Sequence, residues 1–377
     1  MWGWLRSDGY SWGFYARVVL KATVLFALCN LVYALTMPLP LLSSFSAYSL
    51  TGPRTRLPYS NQPAEAFSLT TTNLDAMLAT HTVTTPKAPD EFRVLLVGDS
   101  ATWGWLLEPN ETYAAAINAA NLSVTDKQVQ AYNLGYPVMS LTKDLLILEQ
   151  AQRYDPDLVL WLISLESFPP SKQTFSPIVQ QNAETVGDLL GDYDLSIDES
   201  ELEQVPWWGR TIVGQRRLLA DWLRLQIYSV GWASTGKDQV ISAYEPRRSD
   251  FDAEGLLQFE GYEEPVTLAY DDLAFDVLAA GIELTDAPVI VVNEPIFISD
   301  GQNSDQRYNS LYPRWAYDQY RTLLRELADE NDWLYYDLWD TMSPDTFTDN
   351  PVHLSPTGAQ QLAEQLQNII LEHGEEF

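Results

Sequence analysis

Short apolar runs alternate with longer amphipathic stretches through most of the chain. Residues 93–97 (RVLLV), 157–163 (DLVLWLI) and 289–292 (VIVV) are almost unbroken apolar runs. Runs of that length without polar alternation predict strands buried on both faces. Residues 128–133 alternate in polarity, and 333–337 (WLYYD) make a fifth short run. Between and after these, 112–121, 141–153, 266–284, 316–331 and 357–372 carry apolar positions at helical spacing, with Ser140 placed to cap the second. Five strands, each followed by helix, predict an α/β domain: a parallel sheet with helices on both faces. In such a sheet ligands bind outside the carboxyl ends of the strands.

Three stretches break the alternation. Residues 18–37 (VVLKATVLFALCNLVYALTM) are apolar except for Lys21 near the start and Asn30. About 20 such residues suffice to cross a bilayer. The segment reads as a retained signal anchor; a cleaved signal peptide and a buried core helix are the other readings. Residues 38–90 are rich in Pro, Ser and Thr without a strong apolar period, and are expected to form a loosely packed stalk. The body is then 91–377, with an insertion at 164–265 after the third strand. Within it, 210–230 is a helix candidate whose Leu218, Trp222, Leu225 and Tyr228 approximate a stripe, with Arg216, Arg217 and Arg224 cationic. It suits an amphipathic helix packed on the body; a lid and an interfacial helix are the other readings.

Charge sharpens the topology. The chain has 377 residues, with 22 basic and 52 acidic side chains, a net charge of −30. Residues 1–21 hold Arg6, Arg17 and Lys21 against Asp8, so the excess of acid lies beyond them. Positive charge before the apolar run places 1–17 in the cytoplasm and the body outside, at the cell membrane. So acidic a surface excludes nucleic acid as a general partner, because phosphates are bound by clustered Lys and Arg. Cys29 is the single cysteine and sits in the apolar run, so no intrachain disulfide and no Cys-based zinc site exist.

The first strand runs into Gly98-Asp99-Ser100-Ala101-Thr102-Trp103-Gly104. A serine there stands where the sheet opens to solvent, beside helix amino-terminal amides that favour an oxyanion. His353 lies in Asp349-Asn350-Pro351-Val352-His353, between the last strand and the last helix, and so at the same edge. Together they supply a nucleophile and a general base. The other histidines are weaker rivals: His81 falls in the expected stalk and His373 near the chain end.

These blocks, with Asn133-Leu134-Gly135 after the second strand and Val352-His353-Leu354-Ser355-Pro356-Thr357-Gly358 before the last helix, resemble the SGNH (GDSL-type) serine hydrolase and acyltransferase superfamily. The resemblance spans roughly 92–372 outside the insertion. It implies a flavodoxin-like three-layer parallel sheet, with Ser100 as nucleophile, Gly135 as an oxyanion amide and His353 as base. Two positions depart from the family pattern. Its third block is absent: Ser164-Leu165-Glu166-Ser167 stands there, and an ionised Glu166 has no proton to donate to an oxyanion. Asn293, ending the fourth strand, is the substitute donor beside the Ser100 and Gly135 amides. The family's aspartate, three residues before the histidine, is replaced by Asn350. Asp349 is the expected orienter of His353, with Asn350, Glu294 and Glu166 as alternatives.

The function expected from the resemblance is an extracytoplasmic serine esterase or O-acyltransferase acting on ester-linked acyl groups of cell-envelope or extracellular glycans. No metal or organic cofactor is called for. Trp103 and Trp105 follow the nucleophile and suit the wall of an acyl or sugar pocket. A lipid esterase or lysophospholipase is the first alternative, and a non-catalytic glycan-binding protein on a decayed hydrolase fold is the second.

Overall fold

The computed structural model describes residues 10–62, 65–203, 205–241 and 254–374. Arg6 and Asp8, on which the charge asymmetry partly rests, lie outside them, as does the 242–253 part of the insertion. The fold is mixed α/β around one six-stranded sheet. Its strands are β1 (Glu91–Val97), β2 (Ser123–Val124), β3 (Lys127–Asn133), β4 (Leu158–Ile163), β5 (Val289–Asn293) and β6 (Leu334–Asp337). Their order is β2-β3-β1-β4-β5-β6. Pairing is parallel from β3 to β6, with Leu95 opposite Tyr132 and Val159, and Val291 opposite Trp161 and Tyr335. The two-residue β2, too short to leave a hydrophobic pattern, adds an antiparallel edge next to β3.

Alternate residues of the central strands feed two cores. Leu95, Val97, Val159, Trp161, Ile163 and Val291 pack against the helices Leu141–Ala151, Phe275–Leu284 and Arg314–Glu330. Val94, Leu96, Leu158, Leu160, Leu162 and Ile290 pack against Tyr113–Ala119 and Pro356–Gly374. Burial on both faces is the reason these strands read as unbroken apolar runs. Ser140 caps its helix, accepting from the amide of Lys143.

Two expected helices begin late, each for a local reason. The helix expected from 266 starts at Phe275. Upstream, the Gln319 amide accepts from the Leu268 N–H and donates to the Val266 carbonyl, taking backbone groups a helix would use. The helix expected from 210 starts at Arg216, after a reversal at Gly209 and Gly214. There a Cβ on Gly214 would sit 2.4 Å from the Gly209 carbonyl oxygen, so the chain folds back where only glycine fits.

The expectation of a loose stalk at 38–90 is overturned. Tyr48, Leu57, Leu69, Met77, Leu78 and Val83 are buried, and so are Arg54 and Arg56. Arg54 and Arg56 both pair with the buried Asp238 of the insertion, at 2.9 and 3.3 Å. Arg54 also bridges to the 80–82 backbone, and Leu57 accepts from the indole of Trp103 at 2.8 Å. Prolines and hydroxyls obscured this role. The segment packs without regular periodicity, so it leaves no hydrophobic repeat to read.

The helix Trp12–Thr36 begins at Ser11, which accepts from the Phe14 N–H, and ends at Met37 in the left-handed conformation. It is long and apolar enough to cross a membrane and is mostly exposed.

Candidate active site

The strand–turn at the end of β1 is built for close approach. A Cβ on Gly98 would meet the Leu162 carbonyl at 2.8 Å, and one on Gly135 would meet the amide nitrogen of Trp103 at 2.5 Å. Both positions therefore require glycine, and Gly135 is pressed against the turn that carries Ser100. Asp99 caps that turn, accepting from the Ala101 N–H at 2.8 Å, and Ser100 opens the short helix Ser100–Trp103. From below, Lys143 donates to the Gly98 carbonyl at 2.8 Å and ion-pairs with Asp144. Burial pushes the Asp144 carboxyl up to about 6, against the opposing pull of Lys143.

His353 sits in the loop before the last helix, with the carbonyl of its residue accepting from the Thr348 hydroxyl at 3.0 Å and from the Thr348 amide at 2.8 Å. The Ser100 Oγ and His353 Nε2 are 2.9 Å apart, and His353 Nδ1 lies 3.2 Å from Asp349 Oδ1. A carboxylate only accepts, so Nδ1 carries the proton and Nε2 is left to accept from the Ser100 hydroxyl. Burial raises the Asp349 carboxyl. The hydrogen bond and charge of His353, with the Thr348 hydroxyl at 3.2 Å, outweigh that and hold it below its ordinary range. Ser100 and His353 are buried, and the Trp105 ring stacks over His353 with centroids 5.9 Å apart.

The other candidates are placed elsewhere. Asn350 does not face the ring: its side chain accepts from the Val352 N–H at 3.1 Å and shapes the turn. Glu294 is buried beside the Ser100 turn, where its Oε1 accepts from the Thr102 hydroxyl at 3.1 Å rather than from His353. Glu166 pairs with Lys172, which also reaches Glu260 at 3.1 Å. Asn293 is corrected as an oxyanion donor. Its amide donates to Asp337 at 2.9 Å and Tyr317 at 3.3 Å, and its oxygen accepts from Tyr320 at 3.2 Å. Strand alternation turns that side chain into the helix layer, away from the serine.

Gly135 is adjacent to the serine turn, yet its N–H donates to the Asn133 side chain at 3.0 Å, so it is not a free donor. Asn133 in turn donates to the Thr102 carbonyl at 2.8 Å, fastening β3 to the nucleophile helix. The Ser100 amide has no acceptor among the described residues. His81 is buried, accepts from the Val83 amide at 3.0 Å, and is pushed down to about 4 by burial. It has no part in the site.

Sequence reading did not anticipate what the 54–62 segment supplies. Arg56 donates to the Gly104 and Leu107 carbonyls at 3.2 and 2.9 Å and lies 4.4 Å from the Trp103 ring centre. A cavity of about 150 Å³ reaches the site at Asp349 and is lined also by Ser60, Asn61, Gln62, Trp105 and Gln239 among others, but not by Ser100 or His353. The buried arginines in a proline-rich stretch are its only sequence trace.

The buried Glu294 has a consequence for stability. Burial first, and then the Asp99 charge, push its carboxyl well above the ordinary range. The folded chain then holds a proton that the unfolded chain releases. Stability from this group is therefore greatest below the unfolded pKa and falls as pH rises toward the folded one. Glu294→Gln is permanently neutral and is expected to flatten part of the fall in melting temperature as pH rises above the ordinary carboxylate range. An unchanged slope in thermal scans would refute this protonation.

No family model matches the chain, and no curated protein matches it. Solved structures do. A carbohydrate acetylesterase family member from Sinorhizobium meliloti is 12% identical, with 76% of this chain and 99% of that one covered and a TM-score of 0.34. A member of the lipolytic protein G-D-S-L family from Veillonella parvula is 12% identical over 74% of this chain and 97% of that one, with a TM-score of 0.35. The inhibitor-bound aryl esterase of M. smegmatis is 12% identical over 74% and 97%, with a TM-score of 0.33.

Proposed function

We propose that the chain is a membrane-anchored serine esterase or O-acyltransferase of the SGNH type, on a flavodoxin-like three-layer fold, with its body outside the cytoplasm. The observation that carries this is the continuous chain of hydrogen bonds from Ser100 through His353 to Asp349. Ser100, 253 residues away in sequence, meets the loop that carries His353 and Asp349 in the order that acyl transfer needs.

The Ser100 oxygen attacks the carbonyl carbon of an ester while its proton passes to His353 Nε2. Asp349 holds the imidazole by Nδ1 and stabilises the imidazolium that forms. The oxyanion develops at the amino-terminal end of the Ser100–Trp103 helix, where the Ser100 N–H is available. His353 returns the proton to the departing alcohol oxygen as its bond to the acyl carbon breaks. Water, or the hydroxyl of an acceptor, then attacks the acyl-enzyme by the same route in reverse. Lys143, Asn133 and the two glycines fix the turn, and need not touch substrate.

The cavity wall supports one substrate class. The cavity beside Asp349 is small and carries amide and hydroxyl groups next to an indole, which suits a short acyl group on a polyhydroxylated carrier. Purified full-length protein is expected to label with a fluorophosphonate and to turn over acetyl esters of sugars faster than long-chain acyl esters. A wild-type protein that resists the label would overturn the enzymatic reading. A preference for long chains would move the substrate to lipids.

A further inference from the structure

Resting on the reading of Trp12–Thr36 as a membrane anchor, we propose that the body docks on the same phospholipid surface through an apolar foot formed by 39–51, 207–213 and the helix Arg216–Thr235. The protein is then seated on its bilayer and not merely tethered to it.

The helix Arg216–Thr235 has two apolar faces. Leu218 and Leu225 are buried against the body. Leu223, Ile227 and Val230 are 54, 64 and 61% exposed. Their spacing puts these three on one side of the helix, forming a stripe that the fold leaves uncovered. Alongside runs the chain that has just left the anchor. The Trp222 indole donates to the Phe45 carbonyl at 3.2 Å, the Ala47 amide donates to Gln226 at 2.6 Å, and Tyr48 faces Trp232 at 6.2 Å. That chain adds Leu41, Phe45 and Leu50, all exposed.

The third part of the foot fixes its depth. The Val213 amide donates to the Asn30 side chain at 3.3 Å, and Asn30 and Ala34 are the buried residues of the anchor helix. Asn30 precedes the helix end at Thr36 by six residues, about 9 Å of rise. The 207–213 segment therefore lies along the last turns of the apolar helix and not beyond them. The apolar run 18–37 rises about 30 Å, the thickness of a hydrocarbon core, so its outer end lies near Thr36, about 9 Å beyond Asn30. This brings Val213, with the exposed Trp207 and Trp208, to within about 9 Å of the lipid boundary on its membrane side. Indoles concentrate at that boundary.

Charge agrees with this occupant. Arg216, Arg217 and Arg224 are exposed beside the stripe in a chain of net charge −30. Such side chains lay their stems on apolar surface and reach phosphates with their heads. The helix leads directly into Gln239, Val240 and Ile241, which line the cavity beside Asp349. Docking thus holds the site at a fixed height and favours esters displayed close to the membrane.

The test uses full-length Cys29→Ser protein in vesicles of phosphatidylethanolamine and phosphatidylglycerol that carry nitroxide-labelled acyl chains. Single cysteines from Leu25→Cys, Leu50→Cys, Ile227→Cys and Glu364→Cys are each labelled with a polarity-sensitive dye. Quenching of several-fold is expected at 25, 50 and 227, and none at 364 on the exposed side of the last helix. Adding Leu223→Asp should weaken quenching at 50. Quenching at 25 alone overturns the docking and leaves the anchor standing. No quenching at 25 overturns both. A blue shift at 50 and 227 without lipid quenching overturns the docking in favour of a protein occupant, either a second copy or another chain.

Discussion

Ser100→Ala is expected to abolish fluorophosphonate labelling and to lower kcat for an acetyl ester on the order of 10⁶-fold, the loss typical when a serine nucleophile is removed. The side chain is small, and the turn is held by backbone and neighbours: Asp99 caps it, Lys143 binds the Gly98 carbonyl and Asn133 binds the Thr102 carbonyl. The variant should therefore melt within a degree or two of the wild type, which separates lost chemistry from lost structure. His353→Ala should fall to a similar rate, and the double variant should be no slower than either single one, because the two side chains act as one unit. Residual labelling of Ser100→Ala at the wild-type rate would show that another residue is the nucleophile. A further additive loss in the double variant would show that His353 is not its base.

The second large effect is at the orienter. Asp349→Ala is expected to reduce kcat roughly 10⁴-fold, because the imidazole loses its tautomer control and the charge opposite the imidazolium. Asn350→Ala should change kcat only a few-fold, since Asn350 accepts from the Val352 amide and not from the ring. Its cost is about 1 kcal/mol of stability from one lost hydrogen bond. Equal losses at the two positions would refute the assignment. The pH profile adds a readout. Net hydrogen bonding and charge from His353 hold the Asp349 carboxyl low, so it stays ionised to more acid pH than a free carboxylate does. Asp349→Asn removes that charge and is expected to alter the acid limb of the rate profile.

The decay reading, a glycan-binding protein on an inactive hydrolase fold, rested on the missing third block. The structure gives that region other work: Glu166 and Lys172 pair there, and the turn Leu165–Ser167 closes against the core. Losing a side-chain oxyanion donor lowers catalytic power without removing the nucleophile, base and orienter. The Ser100–His353–Asp349 geometry supports the proposed enzymatic reading over the binding one, and the fluorophosphonate label decides between them.

The sheet was legible because burial on both faces leaves a signal in composition. Strands flanked by helices on each side carry apolar residues at every position, and the runs at Val94–Val97, Leu158–Ile163 and Val289–Val292 are such strands. Ser100 and His353 were legible for a related reason. Each follows or precedes a regular element, so the fold class places both at one edge. The choice between Asp349 and Asn350 was open to prediction but not to decision. Adjacent residues in an irregular loop have no periodicity to fix their directions, and only the bonds from Thr348 and Val352 turn one toward the ring and the other into the turn.

The sequence by itself determined the order of elements, the apolar amino-terminal helix, and the meeting of Ser100 with His353 at one sheet edge. Tertiary structure decided the rest. It removed Asn293 from the site through its bonds to Asp337, Tyr317 and Tyr320, and it occupied the Gly135 amide with Asn133. It also drew 38–90 into the body through Arg54, Arg56 and Asp238. The division has one physical cause. Hydrophobic burial is distributed over many residues and repeats with the backbone period, so it can be read along the chain. A hydrogen bond or a buried ion pair depends on one partner brought close by folding, and nothing in the neighbouring sequence names that partner.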